Sequence, residues 1–172
     1  MLLQEIYARE AMQDAGITGD LSIVHAEQPQ TIVNGKDYGL LFPKRLFTFG
    51  NKTIEKLFIG LKTPTREALL SKIDDCTVIY SERGRNEQLK GYDEVYYSMM
   101  SSARRIVCPD GDFVWTYRFF EAVACGCIPV VEHLHPMYEG FIFEMIDMQQ
   151  PNRWDMSIIN HNRELLMERH TL

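Results

Sequence analysis

The sequence predicts an α/β fold with a mostly parallel sheet and helices on both faces. Three observations point there. Short apolar segments at residues 56–59 (KLFI), 76–80 (CTVIY), 105–108 (RIVC) and 128–131 (IPVV) alternate with segments of helical apolar spacing. IVC and IPVV are apolar without alternation, as strands buried on both faces are. The 172 residues, 45% hydrophobic and 24% charged, suit one soluble domain with a proper core. Together these describe a single Rossmann-like domain.

Residues 2–15 carry apolar side chains near helical spacing and stop at Gly16, a helix with a glycine end. Residues 21–25 form a short strand. Residues 27–38 contain Pro29, Asn34 and Gly35 and read as loop or hairpin. Residues 39–49 are apolar but hold Pro43, so an extended or edge segment is expected. From here the alternation is regular. After strand 56–59, Pro64 suits the first turn of a helix over 66–73. After strand 76–80 comes a polar loop at 81–91, and Asp93 caps a helix over 94–102. Strand 105–108 leads to a helix over 117–125 ended by Gly126, then strand 128–131. Residues 141–148 are apolar without clear period, and 154–169 read as a closing helix. The expected organisation is residues 1–54 as a helix and extended segments packing on a core formed by 55–172.

A net charge of −6 argues against nonspecific nucleic-acid binding, although local arginines and helix ends still suit an anionic small ligand. No run of about 18 apolar residues is present, so no membrane span is expected. The N-terminus carries acids early and lacks the apolar stretch of a signal peptide. Cys76, Cys108, Cys125 and Cys127 show no CxxC spacing and no partner histidine cluster, which indicates reduced thiols, a cytoplasmic location and no metal site.

In open α/β sheets ligands bind at the carboxyl ends of the strands. Four loops gather there: 60–64, 81–91, 109–116 and 132–137. In the third, Pro109 stops strand pairing, Gly111 permits close backbone approach, and Thr116 caps the helix beginning at Tyr117. A capped helix start is an anion site suited to phosphate, and also simply a helix cap. Arg118 lies one turn inside and Asp112 within the loop. Glu121 sits in a mostly apolar helix, where a carboxylate is costly unless paired. It either accepts from two ribose hydroxyls or forms an ordinary salt bridge. Arg66 stands at a helix start, unfavourable for the helix dipole but within reach of a diphosphate. Tyr80, Arg83 and Arg85 are placed to meet a base or to form exposed surface. His25, Glu27, His133 and His135 are the acid/base groups near loops.

The segments LFIGLKTPTREALL and MMSSARRIVCPDGDFVWTYRFFEAVACGCIPVVE, within residues 55–135, resemble the nucleotide-sugar-binding half of GT-B glycosyltransferases, most closely the exostosin-like family. The resemblance is carried by Thr116, Arg118, Glu121, Gly126 and Pro129, and more weakly by Arg66. It implies transfer of a sugar from a nucleoside-diphosphate sugar to a hydroxyl acceptor, with no bound metal or other cofactor. Arg66, Asp112, Thr116, Tyr117, Arg118 and Glu121 would hold the donor: Glu121 the ribose, Thr116 and its helix turn the phosphate, the arginines the leaving diphosphate. His25 and Glu27 are the upstream candidates for a base. Residues 1–54 are too short for the acceptor domain of that architecture. The expected partners are therefore a nucleotide sugar and an acceptor-binding domain or partner chain, with a homo-oligomer also open. The competing readings are a noncatalytic nucleotide-binding or interaction module and a flavodoxin-like or receiver-like single domain.

Overall fold

The computed structural model describes residues 2–81, 94–148 and 153–172. Helix α1, Leu3–Ala15, ends at Gly16, whose φ of 65° places it in the left-handed region that a residue lacking Cβ adopts freely. Strands β1 (Leu21–Val24), β2 (Gln30–Val33) and β3 (Lys36–Asp37) form an antiparallel sheet in that order. Asn34 and Gly35 join β2 to β3 with φ of 49° and 86°, the pattern of a tight two-residue hairpin. Residues 39–49 form no strand. A 3₁₀ turn at Lys44–Leu46 follows Pro43, and Leu40, Leu41, Phe42 and Leu46 are buried side chains of the core.

The second sheet contains β4 (Ile54–Leu61), β5 (Thr77–Ser81), β6 (Ala103–Cys108), β7 (Ile128–Val131) and β8 (Glu144–Met145), all parallel, in the order β5-β4-β6-β7-β8. Its flanking helices are α2 (Pro64–Leu70), α3 (Glu94–Ser101), α4 (Tyr117–Ala124) and α5 (Met156–His170). The expected α/β class with a parallel sheet is observed. The short strand β8 was not foreseen. Two residues cannot display a period, and one of them, Glu144, is a buried acid that meets Arg105 Nε at 2.9 Å. Arg105 also bonds Glu55, so it ties strands together rather than supplying free charge.

Alternation along the strands explains the layers. Phe58, Val107 and Val130 face Leu70 of α2 on one side. Leu57, Ile59, Ile106, Cys108 and Val131 face the other, where Tyr97 and Met100 of α3, Phe119 and Phe120 of α4, Leu166 of α5 and Tyr7 of α1 pack in one cluster. Each fully buried Phe in it contributes about 1.5–3 kcal/mol. Lys52 Nζ donates at 2.8 Å to both Ser101 O and Cys125 O, so one cation secures the ends of α3 and α4 together. The four thiols are free, Cys76 half-buried and the others buried.

His170 closes α5 with its Nδ1 at 3.0 Å from Tyr38 O and 3.1 Å from Leu40 O. Both neighbours are acceptors, so Nδ1 carries the proton. Burial lowers its pKa from the ordinary 6.5, the two carbonyls oppose this, and the adjacent Arg169 adds to the lowering. The folded state therefore prefers neutral His170. As pH falls through the unfolded value near 6.5, the unfolded chain takes up a proton that the folded one resists, and stability drops. The melting temperature is expected to fall between about pH 7 and pH 5. His170→Asn should flatten that slope. An unchanged slope would refute the assignment.

Candidate functional site

The order of successive strands reverses at β4, whose neighbours β5 and β6 lie on opposite sides. The loops leaving β4 and β6 therefore part and leave a crevice at their carboxyl ends. A cavity of about 460 Å³ occupies it. Arg66, Asp112, Thr116, Tyr117 and Arg118 line it, joined by His25 and Tyr96. Five of the six residues expected to hold a ligand thus share one cavity. A neighbouring hollow of about 350 Å³ shares Arg66 and Asp112.

The cavity's floor is cationic. Thr63 caps α2 by accepting from Arg66 N at 3.2 Å, and Thr116 caps α4 by accepting from Arg118 N at 2.9 Å. The two arginines thus rise from two helix starts. Their guanidinium carbons lie 5.8 and 5.1 Å from the ring centre of Phe58. Among the described residues neither makes an ion pair, and Arg118 Nε is buried without a hydrogen-bond partner. Arg66 Nη1 donates to Leu61 O at 3.1 Å. Burial, and then the positive charge of Arg118, hold the Arg66 pKa below its ordinary value. Two partly buried cations that repel each other form a site ready for an anion.

Glu121 stands behind this floor. It is 0% exposed and does not line the cavity. Its Oε2 accepts from Tyr7 and, at 3.2 Å, from Tyr97, while Oε1 accepts from Tyr96 at 3.1 Å. Tyr96 does line the cavity, so the carboxylate touches the site through that ring.

One wall comes from the antiparallel sheet. His25 packs edge-on against Phe113 and Trp115, at ring distances of 5.1 and 5.8 Å. Gln4 Nε2 donates to Gln30 O at 2.9 Å, which fixes its amide and turns Oε1 towards His25 Nδ1 at 3.2 Å. Tyr117 OH lies 3.5 Å from the same Nδ1, so in the neutral ring whose Nδ1 donates to Gln4, Nε2 is the acceptor. Glu27 lies outside the cavity lining. It accepts from Val114 N at 3.4 Å and meets His135 Nε2 at 3.1 Å. Asp110 meets His133 Nδ1 at 2.6 Å, and with Glu132 the ligand-type atoms of these three lie within 4.8 Å.

Loop residues 82–91, with Arg83 and Arg85, and the cap Asp93 lie outside the described residues. Tyr80 packs against Phe58 at a ring distance of 6.0 Å. Gly60, Tyr96, Phe113 and Trp115 in the lining, and Phe58 beneath the arginines, were not expected from the sequence. Phe113 and Trp115 flank the glycine loop and carried a readable signal; Phe58 looked like ordinary core.

No helix among the described residues is long and apolar enough to cross a membrane. No curated protein matches the chain. The model of the Exostosin GT47 domain matches residues 23–147, well over half of this chain, a span that includes the cavity-lining residues named above. The chain belongs to the exostosin GT47 family, and its function is of the glycosyltransferase type.

Proposed function

We propose that the cavity binds a nucleoside-diphosphate sugar and that the protein transfers its sugar to a hydroxyl acceptor without a bound metal. The carrying observation is the pair Arg66 and Arg118, two half-buried cations at two capped helix starts, which make no ion pair among the described residues. As the bond from the sugar's anomeric carbon to the diphosphate breaks, negative charge gathers on the departing oxygen. Fixed guanidinium donors stabilise that charge more than the ground state, the role a metal fills elsewhere. Thr116 and the first turn of α4 receive a phosphate, with Asp112 and Tyr117 beside it. The aromatic wall of Phe113, Trp115 and Tyr117 offers flat surface to a sugar or base. Glu121 acts on the donor by fixing Tyr96. His25 is the better-placed base of the two upstream candidates, because it lines the cavity and its Nδ1 is the nitrogen engaged by Gln4, which leaves Nε2 to take the acceptor's proton. Glu27 braces the loop instead.

A thermal-shift panel of nucleoside diphosphates and nucleotide sugars tests this reading. At a hundred times its Kd a true ligand adds about 2.7 kcal/mol, several degrees for a chain of this size. At least one member should produce that shift, and a chelator should leave it unchanged. A flat response to the whole panel would overturn the assignment.

A further inference from the structure

We infer that Gly60 is the positioning residue for Arg118: the missing side chain at position 60 is the space in which the Arg118 guanidinium lies. This rests on the reading of the cavity as a diphosphate site. Gly60 is buried near the end of β4, paired in register with Tyr80. A glycine inside a strand weakens it and marks a place where another group approaches the backbone closely. Backbone conformation is not the reason for it, because Gly60 is absent from the glycines with positive φ. The reason is room. A Cβ at position 60 would stand 2.5 Å from Arg118 Nη2, 3.4 Å from Arg118 Cζ and 3.1 Å from Phe58 Cζ. The first distance is below any van der Waals contact, so a methyl group there and the guanidinium in its present place exclude each other. Gly111 in the facing loop has nothing within 4 Å of such an atom.

What would yield is the tip of Arg118. Its backbone is held by the Thr116 cap, whereas its guanidinium rests on Phe58 and meets no carboxylate among the described residues. A side chain at position 60 would therefore push the cation off the floor of the cavity while leaving the fold in place. The sequence KLFIG thus ends β4 with a ring that supports two cations and a gap that seats one of them.

The test is a double-mutant cycle on Gly60→Ala and Arg118→Ala, read by calorimetric binding of inorganic pyrophosphate, UDP and GDP and by melting temperature. Gly60→Ala is expected to weaken binding by about tenfold or more, the worth of one charge-assisted hydrogen bond, with a melting temperature near the wild type. Arg118→Ala should weaken binding by a similar factor. The double variant should bind no more weakly than Arg118→Ala alone, because the methyl group then has nothing to displace. Wild-type affinity in Gly60→Ala, or losses that simply multiply in the double variant, would overturn the inference and leave the diphosphate reading standing. Binding of none of the three probes by the wild type would overturn both. If Gly60→Ala fails to fold, recovery of the fold in the double variant supports the contact with Arg118. Continued unfolding assigns the glycine to the packing of Phe58 and overturns the proposal.

Discussion

Glu121→Ala is expected to cost about 3–5 kcal/mol of folding stability, a fall of roughly 6–20 °C in melting temperature. The carboxylate is fully buried and gathers hydroxyls from α1 and α3: Tyr7 and Tyr97 on one oxygen, Tyr96 on the other. Alanine removes the carboxylate on which all three hydroxyls converge, although Tyr7 and Tyr97 keep their bond to each other, and leaves a hole in a close-packed region. Glu121→Gln keeps the volume and one acceptor oxygen but turns donors towards hydroxyls, so a smaller loss is expected. Thermal and urea unfolding of the two variants beside the wild type provide the check. A fall of only a degree or two in the alanine variant would show that the tyrosine network does not stabilise the fold. Because Tyr96 lines the cavity, the glutamine variant should also lose some ligand affinity below its melting temperature.

Arg118→Ala and Arg66→Ala should act in the opposite sense, with large effects on binding and little on folding. Each is expected to weaken nucleoside-diphosphate binding by about ten- to a hundredfold, the range for a hydrogen bond to a charged group. Arg118→Ala should leave the melting temperature level or raise it slightly. It removes a buried donor that has no partner among the described residues, and it removes the positive charge that depresses the Arg66 pKa. Stability relinquished to keep a site ready for its ligand is the usual signature of function. The affinity of the wild type should also decline with added salt, and more steeply than that of either variant. A marked loss of stability in Arg118→Ala, with nucleotide affinity intact, would make the residue a structural one.

The central strands were legible because they are buried on both faces. A strand such as IPVV then needs no partner information to declare itself. β8 was illegible because its buried member is a glutamate made tolerable by Arg105, far away in sequence. Residues 39–49 were expected as an extended or edge segment because of Pro43; they join no ladder, and Leu40, Leu41 and Phe42 serve the core from there. The gathering of Arg66, Asp112, Thr116, Tyr117 and Arg118 followed from one rule, that loops at the carboxyl ends of parallel strands converge. Glu121 shows where such reasoning stops. Its helix could be recognised, but whether it met ribose hydroxyls or side-chain hydroxyls depended on Tyr7, over a hundred residues upstream. Gly60 carried no signal by itself, since only the path of the Arg118 side chain gives it meaning.

The strap formed by residues 25–27 has a consequence for dissecting the protein. Ala26 O accepts from Trp115 Nε1 at 2.9 Å, Glu27 holds Val114 N, and His25 faces the cavity directly. The parallel sheet begins at Ile54, which invites a cut there to obtain a minimal binding fragment. Such a fragment would keep every strand of that sheet and both arginines, but the loop between β6 and α4 would lose its outer support and Glu121 would lose Tyr7. Architecture and ligand site thus have different starting points along the chain, and residues from Leu3 onward are part of the smallest unit able to hold the cavity's shape.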